Sequence, residues 1–359
     1  MPTSFVVRSS IALLGLTRVS CAAAGAPETE QCPIGSEKCP CTEGGSCDAG
    51  LQCLSDLCVE GESGSGGGGA TTATTTGSTG MGGGFGAGGG SSCNAGCNRV
   101  DVLFALDGSG SMTEEINALA ASQAFASVID AISAINCGGI EYRIGVTHDN
   151  DGGFLVPGGW AGPSPWFDSA TMDDAAIAQA FTGAASAVVA GSGTATGCEH
   201  VLSSSVDLLE SDSTGFVRSD ALLVLIFVTD VDDYGAYDNV SGNSCGLGCT
   251  VSGAPVQSLF DRLQALKGGD ASALATIVVA GDPSVNGGQN FCSQPGVCGC
   301  NGVDCGVFPA TRLWEFAATH PGTNGVTSNL CAGAQSVPTA VKSAFEGGID
   351  LACQQYVPK

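Results

Sequence analysis

The chain has 359 residues, of which 43% are hydrophobic, and it carries a formal net charge of −24. This apolar content is sufficient for a folded core, whereas the negative charge disfavours binding to nucleic acids and to anionic lipid surfaces. The 19 cysteines are too many for a reducing compartment, and we therefore expect an extracytoplasmic protein, either secreted or attached to the outer surface.

Residues 1–24 are predicted to form a signal peptide. Arg8 precedes the apolar segment 11–16, and small residues follow at positions 20–24. Val19-Ser20-Cys21 resembles the end of a bacterial lipobox, which implies lipid attachment at Cys21, although Arg18 stands where an aliphatic residue is expected. No segment of the chain has the length and apolar character of a membrane span, and we expect membrane attachment only through Cys21.

Residues 25–60 are predicted to form a small disulfide-rich module. The segment has too little apolar content for a core of its own, so three disulfides are expected; a zinc site is the less favoured alternative because the segment lacks histidine. Its cysteines are Cys32, Cys39, Cys41, Cys47, Cys53 and Cys58. Residues 61–92, almost entirely Gly, Ser, Thr and Ala, are predicted to be a flexible linker.

Residues 93–359 alternate apolar strands with helical segments, which predicts an α/β domain with a doubly wound, mostly parallel, Rossmann-like sheet. Strands are expected at about 100–106, 140–147, 221–229 and 273–281. Apolar residues from Phe125 to Ile135 recur at helical spacing, and further helices are expected at 173–189 and 197–209. A closing helix should begin near Pro338 and stop at Gly347-Gly348.

Three oxygen-bearing side chains follow the first predicted strand of this domain. Asp107, Ser109 and Ser111 are separated by Gly108 and Gly110, which permit a tight turn. In open parallel sheets, ligands bind beyond the carboxyl ends of the strands. A carboxylate and two hydroxyls suit a hard cation such as Mg²⁺. Ser111 and Glu114 also match a helix capping box, which would give Ser111 a structural role.

The Asp-x-Ser-x-Ser pattern resembles the metal-ion-dependent adhesion site of von Willebrand factor type A (vWA) domains. Gly193 to Gly197 looks like the second metal loop of that family, and Leu222 to Asp230 looks like its third strand and loop. The resemblance implies that Mg²⁺, Mn²⁺ or Ca²⁺ is held by five residues: Asp107, Ser109, Ser111, Thr194 and Asp230. Thr196 would take the place of Thr194 if that residue is not the ligand. It also implies that an acidic group of a partner protein or surface completes the metal shell.

The same resemblance implies that the two ends of the domain lie close together. A disulfide between Cys97 and Cys353 is therefore expected, with Cys93 as the competing partner. The chain departs from the family at Val231, where adhesive relatives usually carry glycine, and at residues 198–200.

Several acidic residues lie close to the predicted metal loops. These residues are Asp149, Asp151, Asp232, Asp233 and Asp238. One prediction is that they bind Ca²⁺, and the more common role of turn carboxylates is to face solvent.

A cysteine-rich insertion is predicted at about 283–307, within the vWA domain. Disulfides are favoured over a zinc site, and we expect the stapled loop to shape the surface around the metal. Its cysteines are Cys292, Cys298, Cys300 and Cys305.

The sequence contains no recognisable catalytic motif. Asp107 stands where a Gly-x-Ser-x-Gly nucleophile elbow needs glycine, and the three histidines, His148, His200 and His320, form no zinc-binding pattern. We therefore expect a non-enzymatic protein that binds its partner through the metal. The alternatives are a structural cell-surface module with a vestigial metal site and, ranked last, a hydrolase that uses Ser109.

Overall fold

A computed structural model describes residues 51–54, 57–60, 96–148, 153–191, 200–235, 253–285, 287–289, 297–301 and 306–358. The chain divides into two compact units, Met1–Phe85 and Gly86–Lys359. The predicted signal peptide with Cys21, the linker, and Thr194 with Thr196 lie outside the described residues. In the first unit, strands β1 (Leu51–Leu54) and β2 (Leu57–Glu60) form an antiparallel pair.

The second unit is an α/β domain built on a six-stranded, mostly parallel sheet. Its strands are β3 (Arg99–Leu106), β4 (Glu141–His148), β5 (Phe167–Asp168), β6 (Leu222–Val228), β7 (Leu274–Ala280) and β8 (Gly325–Asn329). Their order in the sheet is β5-β4-β3-β6-β7-β8, and only the pairing of β4 with β5 is antiparallel. The four predicted strands are therefore confirmed, with ends shifted by about one residue.

Helices cover both faces of this sheet, which is why the central strands are apolar at nearly every position. One face carries α1 (Thr113–Ala120), α2 (Ser122–Ala134), α3 (Asp174–Gly191), α7 (Val337–Ala344) and α8 (Asp350–Gln355). The other face carries α4 (Val201–Ser211), α5 (Val256–Leu266) and α6 (Thr311–Thr319). Successive residues of β3 alternate between the two cores: Phe104 packs on the first side and Ala105 on the second.

The two ends of the domain are joined covalently, as predicted. Cys97 and Cys353, both fully buried, form a disulfide across 256 residues, and the backbone N–H of Cys97 donates to the carbonyl of Cys353 at 2.9 Å. Closing so long a loop lowers the entropy of the unfolded chain, which stabilises the fold by about 5 kcal/mol. Disulfides of this kind persist in an oxidising, extracellular type of environment.

The predicted stop of the closing helix at Gly347-Gly348 is wrong. The backbone widens into one π-helical segment, Phe345–Ile349, and continues into α8. A β-carbon on Gly348 would lie 2.5 Å from Cγ2 of Val326 in β8, so this glycine allows close packing on the edge strand and does not end the helix.

Within the described ranges, no single helix is long and apolar enough to cross a membrane. The consecutive segments Gly110–Ala120 and Ser122–Cys137 reach that length and apolar character only when they are taken together, and they are bent by 66° relative to each other.

Candidate functional site

The candidate site lies where the order of strands reverses. From β3 the chain moves outward to β4 on one side and later to β6 on the other, and ligands bind at such a position beyond the carboxyl ends of the strands. Asp107 directly follows β3, and its backbone N–H donates to the carbonyl of Val228 at 3.0 Å. Asp230 lies two residues beyond the end of β6. The sheet therefore brings together two carboxylates that are far apart in the sequence.

Two neighbours fix the orientation of the fully buried Asp107 carboxylate. The backbone N–H of Ser109 donates to its Oδ1 at 2.7 Å, and the hydroxyl of Thr229 donates to its Oδ2 at 2.8 Å. Thr229 was not among the predicted site residues. Its position immediately before Asp230 at the end of a buried strand is the sequence signal that identifies it.

The two serine hydroxyls lie side by side at the surface end of the turn, with Ser109 Oγ and Ser111 Oγ 2.9 Å apart. The capping-box prediction for Ser111 and Glu114 is wrong. Ser111 lies inside a 3₁₀ turn, Gly110–Met112, and α1 begins after Met112 without a side-chain cap. The hydroxyl of Ser111 is therefore directed to the site and not to the helix start.

The carboxyl group of Asp230 lies in a strongly unfavourable environment for a charge. Burial raises its pKa well above the ordinary value, and repulsion from Asp107 raises it further, while a hydrogen bond with Ser111 opposes the shift. Glu115, in the first turn of α1, adds to the repulsion. Its Oε2 atom is buried and has no hydrogen-bond partner among the residues that the structure describes.

These observations test whether the predicted residues fit a cation. Asp107, Asp230, Ser109 and Ser111 offer only oxygen atoms, the donors that Mg²⁺, Mn²⁺ and Ca²⁺ prefer, and two of them are carboxylates that repel each other without a positive charge between them. Among the residues with assigned positions, no group of three or more His, Cys, Asp or Glu side chains forms a metal cluster by itself. The donor set that fits is thus a mixed one of carboxylates and hydroxyls.

Asp232 and Asp233 are not solvated turn residues, and this expectation is wrong. Both are buried, and each binds the first turn of a helix. Asp232 accepts from the N–H of Arg312 at 2.9 Å, in α6. Asp233 accepts from the N–H of Leu202 at 3.0 Å and from both the N–H and the hydroxyl of Ser203, in α4. Burial raises the pKa of both groups, that of Asp232 to about 7.

The cysteine-rich insertion lies against the third loop of the candidate site. The N–H of Phe308 donates to the backbone carbonyl of Asp230 at 2.7 Å, and Gly299 donates to Val307 at 2.9 Å. Cys300 forms a disulfide with Cys331, which follows β8, and Cys298 is also disulfide-bonded. The zinc alternative is therefore wrong for these two cysteines, because their sulfur atoms are already paired.

Comparisons with known proteins give only distant similarities. No protein-family model matches the chain, and no curated protein matches it. Proximal thread matrix protein 1 from the mussel byssus is 14% identical with a TM-score of 0.36, over 70% of this chain and 48% of that one. The pilus adhesin SpaC from Lactobacillus rhamnosus GG, in its open conformation, is 13% identical with a TM-score of 0.37, over 71% of this chain and 30% of that one.

The chain thus spans less than half the length of either protein. Similarity at this level does not establish a shared family or function.

Proposed function

We propose that this chain is a vWA-type protein, with a doubly wound sheet, that binds a partner through a divalent cation. One observation carries the proposal: the mutually repelling carboxylates of Asp107 and Asp230 meet the paired hydroxyls of Ser109 and Ser111 at the reversal point of the sheet. A cation at this position would remove the repulsion and would use oxygen donors that are already held in place by Thr229 and the turn.

In this proposal Ser109, Ser111 and Thr194 bind the cation directly, and Asp107 and Asp230 hold it through water or by direct bonds. The bound Mg²⁺, or Mn²⁺ or Ca²⁺, supplies a positive centre with an open coordination position for a carboxylate of the partner. The net charge of −24 makes such a centre the natural point of contact for an acidic group, because the rest of the surface would repel it.

The proposal also places the protein outside the cytoplasm. A signal peptide at 1–24 would direct export, and a lipid on Cys21 would retain the chain at the cell surface. The disulfide-rich module at 25–60 and the linker at 61–92 would then hold the metal-binding domain away from the membrane. Mass analysis of the mature amino terminus distinguishes the lipid-anchored form from the secreted form.

The first experiment is a calorimetric titration of the full chain with Mg²⁺ and Mn²⁺, followed by binding to arrays of peptides that contain Asp or Glu, or Asn or Gln in their place. We expect Mg²⁺-dependent capture of the acidic peptides only, and its loss with EDTA. Asp107→Asn should weaken Mg²⁺ binding by about a hundredfold. Asp261→Asn is the matched control, because Asp261 is exposed on α5 and accepts a hydrogen bond from Gln257 of the same helix.

An absence of heat with both cations, together with capture that EDTA does not change, would contradict the proposal. It would favour the alternative of a structural surface module with a vestigial site.

A further inference from the structure

A second cavity lies at the other side of the domain, against the edge strand β5. It has a volume of about 290 Å³ and is lined mainly by the apolar surfaces of Trp160, Trp166 and Met172. Strand β5 pairs with β4 at Arg143, near the amino end of β4, whereas Asp107 and Asp230 follow the carboxyl ends of their strands. The cavity is therefore separate from the proposed metal site.

Internal contacts hold both indole rings in place. The N–H of Trp160 donates to the carbonyl of Ser164 at 2.8 Å, and that of Trp166 donates to the hydroxyl of Thr214 at 3.0 Å. Trp160 also packs edge to face on Phe167, with ring centroids 5.1 Å apart. Because both N–H groups are already used, neither ring offers a ligand its donor. Trp166 is only 7% exposed and has Arg143 over its ring, so the indole available to a ligand is that of Trp160.

The charged groups at this cavity are already balanced. The carboxylate of Asp168 accepts from Nε of Arg143 at 3.2 Å and from the N–H of Ala170 at 2.9 Å. The guanidinium of Arg143 lies 4.3 Å from the ring centroid of Trp166. A cationic ligand would have to compete with arginine for both the carboxylate and this aromatic ring. An anion would be repelled by the carboxylate.

Polar atoms nevertheless line one side of the cavity. Each oxygen of Asp168 keeps lone pairs beyond the single bond described for it, and the Ser164 hydroxyl has no hydrogen-bond partner in the part of the chain that the structure describes. A purely apolar ligand would bury these atoms without partners, which is costly. The lining thus suits an uncharged ring with one apolar face and hydroxyl groups along its edge.

We propose that this cavity binds one neutral pyranose ring of a glycan. The C–H face of the sugar lies on the indole of Trp160, and its hydroxyls bind Asp168 and Ser164. The volume accommodates a ligand of this size at the lower end of the range for small-molecule sites. The inference does not depend on the metal site, since neither cation nor metal ligand contributes to this lining.

The test uses intrinsic fluorescence, because two of the three tryptophans of the chain line this cavity. The full chain is titrated in EDTA with the methyl glycosides of glucose, galactose, mannose and N-acetylglucosamine, and in parallel with glucuronate and tetramethylammonium. We expect a saturable change with at least one neutral glycoside, at about millimolar affinity, and none with the two charged probes. Trp160→Ala should weaken binding by about tenfold or more.

Two glycine variants separate a binding role from a general loss of structure. A β-carbon on Gly162 would overlap the indole of Trp160, so Gly162→Ala should displace the ring and reduce sugar binding as strongly as Trp160→Ala does. Gly158→Ala is the matched control in the same loop, because a β-carbon there meets no atom within 4 Å. This control should bind like the unmodified chain.

Three results would overturn the inference. The first is the lack of a response to all four neutral glycosides, and the second is a response to tetramethylammonium alone. The third is sugar binding that Trp160→Ala and Gly162→Ala leave unchanged.

Discussion

Three buried carboxylates, those of Asp230, Asp232 and Asp233, follow β6 within four residues. They differ in the groups that surround them. Asp232 and Asp233 each accept hydrogen bonds from the first turn of a helix. Asp230, two residues earlier, faces Asp107, and this contact raises its pKa further. Burial and sequence position are thus nearly the same, whereas the partner of each carboxylate differs.

The difference separates acid groups with structural hydrogen bonds from an acid group that another carboxylate repels. A carboxylate at a helix amino terminus satisfies N–H groups that the helix leaves without partners and also interacts favourably with the helix dipole. Two carboxylates that meet repel each other, and at Asp107 and Asp230 the hydrogen bonds from Ser109, Thr229 and Ser111 offset this repulsion only in part. Such a pair is retained at a stability cost, and an external cation is the simplest group that offsets it.

The largest expected effect is at Asp233. Asp233→Ala should lower the free energy of unfolding by about 3 kcal/mol, because it leaves the N–H groups of Leu202 and Ser203 buried without acceptors and removes the ion pair with Arg312 at 3.5 Å. Urea denaturation measures the change. If the proposed metal site exists, Mg²⁺ binding by the folded fraction should stay unchanged. A parallel loss of Mg²⁺ affinity would contradict the separation of Asp233 from that proposed site.

A buried base extends the comparison to pH. Helix α6 begins near the carboxylate of Asp232, and His320 follows its last residue. His320 is buried, and its Nε2 lies 2.7 Å from the hydroxyl of Thr276. Burial lowers the pKa of His320 to about 4. Between about pH 6.5 and pH 4 the unfolded chain binds a proton that the folded chain does not, so stability falls as the pH falls through this window. The contribution of His320 to this loss should approach about 3 kcal/mol.

Denaturation series at pH 7 and pH 4 measure this loss, and His320→Gln should reduce the pH dependence because glutamine does not titrate. An equal loss in the variant would show that other groups, including the carboxylates, control the acid response.

The strands and the turn that follows β3 could be predicted because their signals are local. Strand β6 is an unbroken apolar run, β3 is apolar from Val102 to Leu106, and Asp107, Ser109 and Ser111 lie in one turn. The sequence patterns do not predict β5 or β8. The first has only two residues, and the second, Gly325–Asn329, has no fully buried position that would give an apolar pattern.

The roles of Asp232 and Asp233 could not be predicted because their partners are distant in the sequence. The N–H of Arg312 is 80 residues away from Asp232, and that of Leu202 is 31 residues away from Asp233. The electrostatic effect of Glu115 on Asp230 likewise depends on where the fold places α1, which no short motif encodes. Local patterns therefore identified which residues follow the strands. Only the fold determined which acid groups accept hydrogen bonds from a helix and which one faces another carboxylate.

Asp230→Asn tests the other side of the comparison. The amide can keep a hydrogen bond with Ser111 while it removes the negative charge that faces Asp107, so the metal-free protein should become more stable by about 1–2 kcal/mol. Added Mg²⁺ at a hundred times its dissociation constant should stabilise the unmodified chain by about 2.7 kcal/mol and the variant by far less. Thermal denaturation in EDTA and in Mg²⁺ measures both effects. If Asp230→Asn instead destabilised the metal-free protein as Asp233→Ala does, Asp230 would be a structural group like its neighbours, and the charge repulsion at the site would no longer argue for a cation.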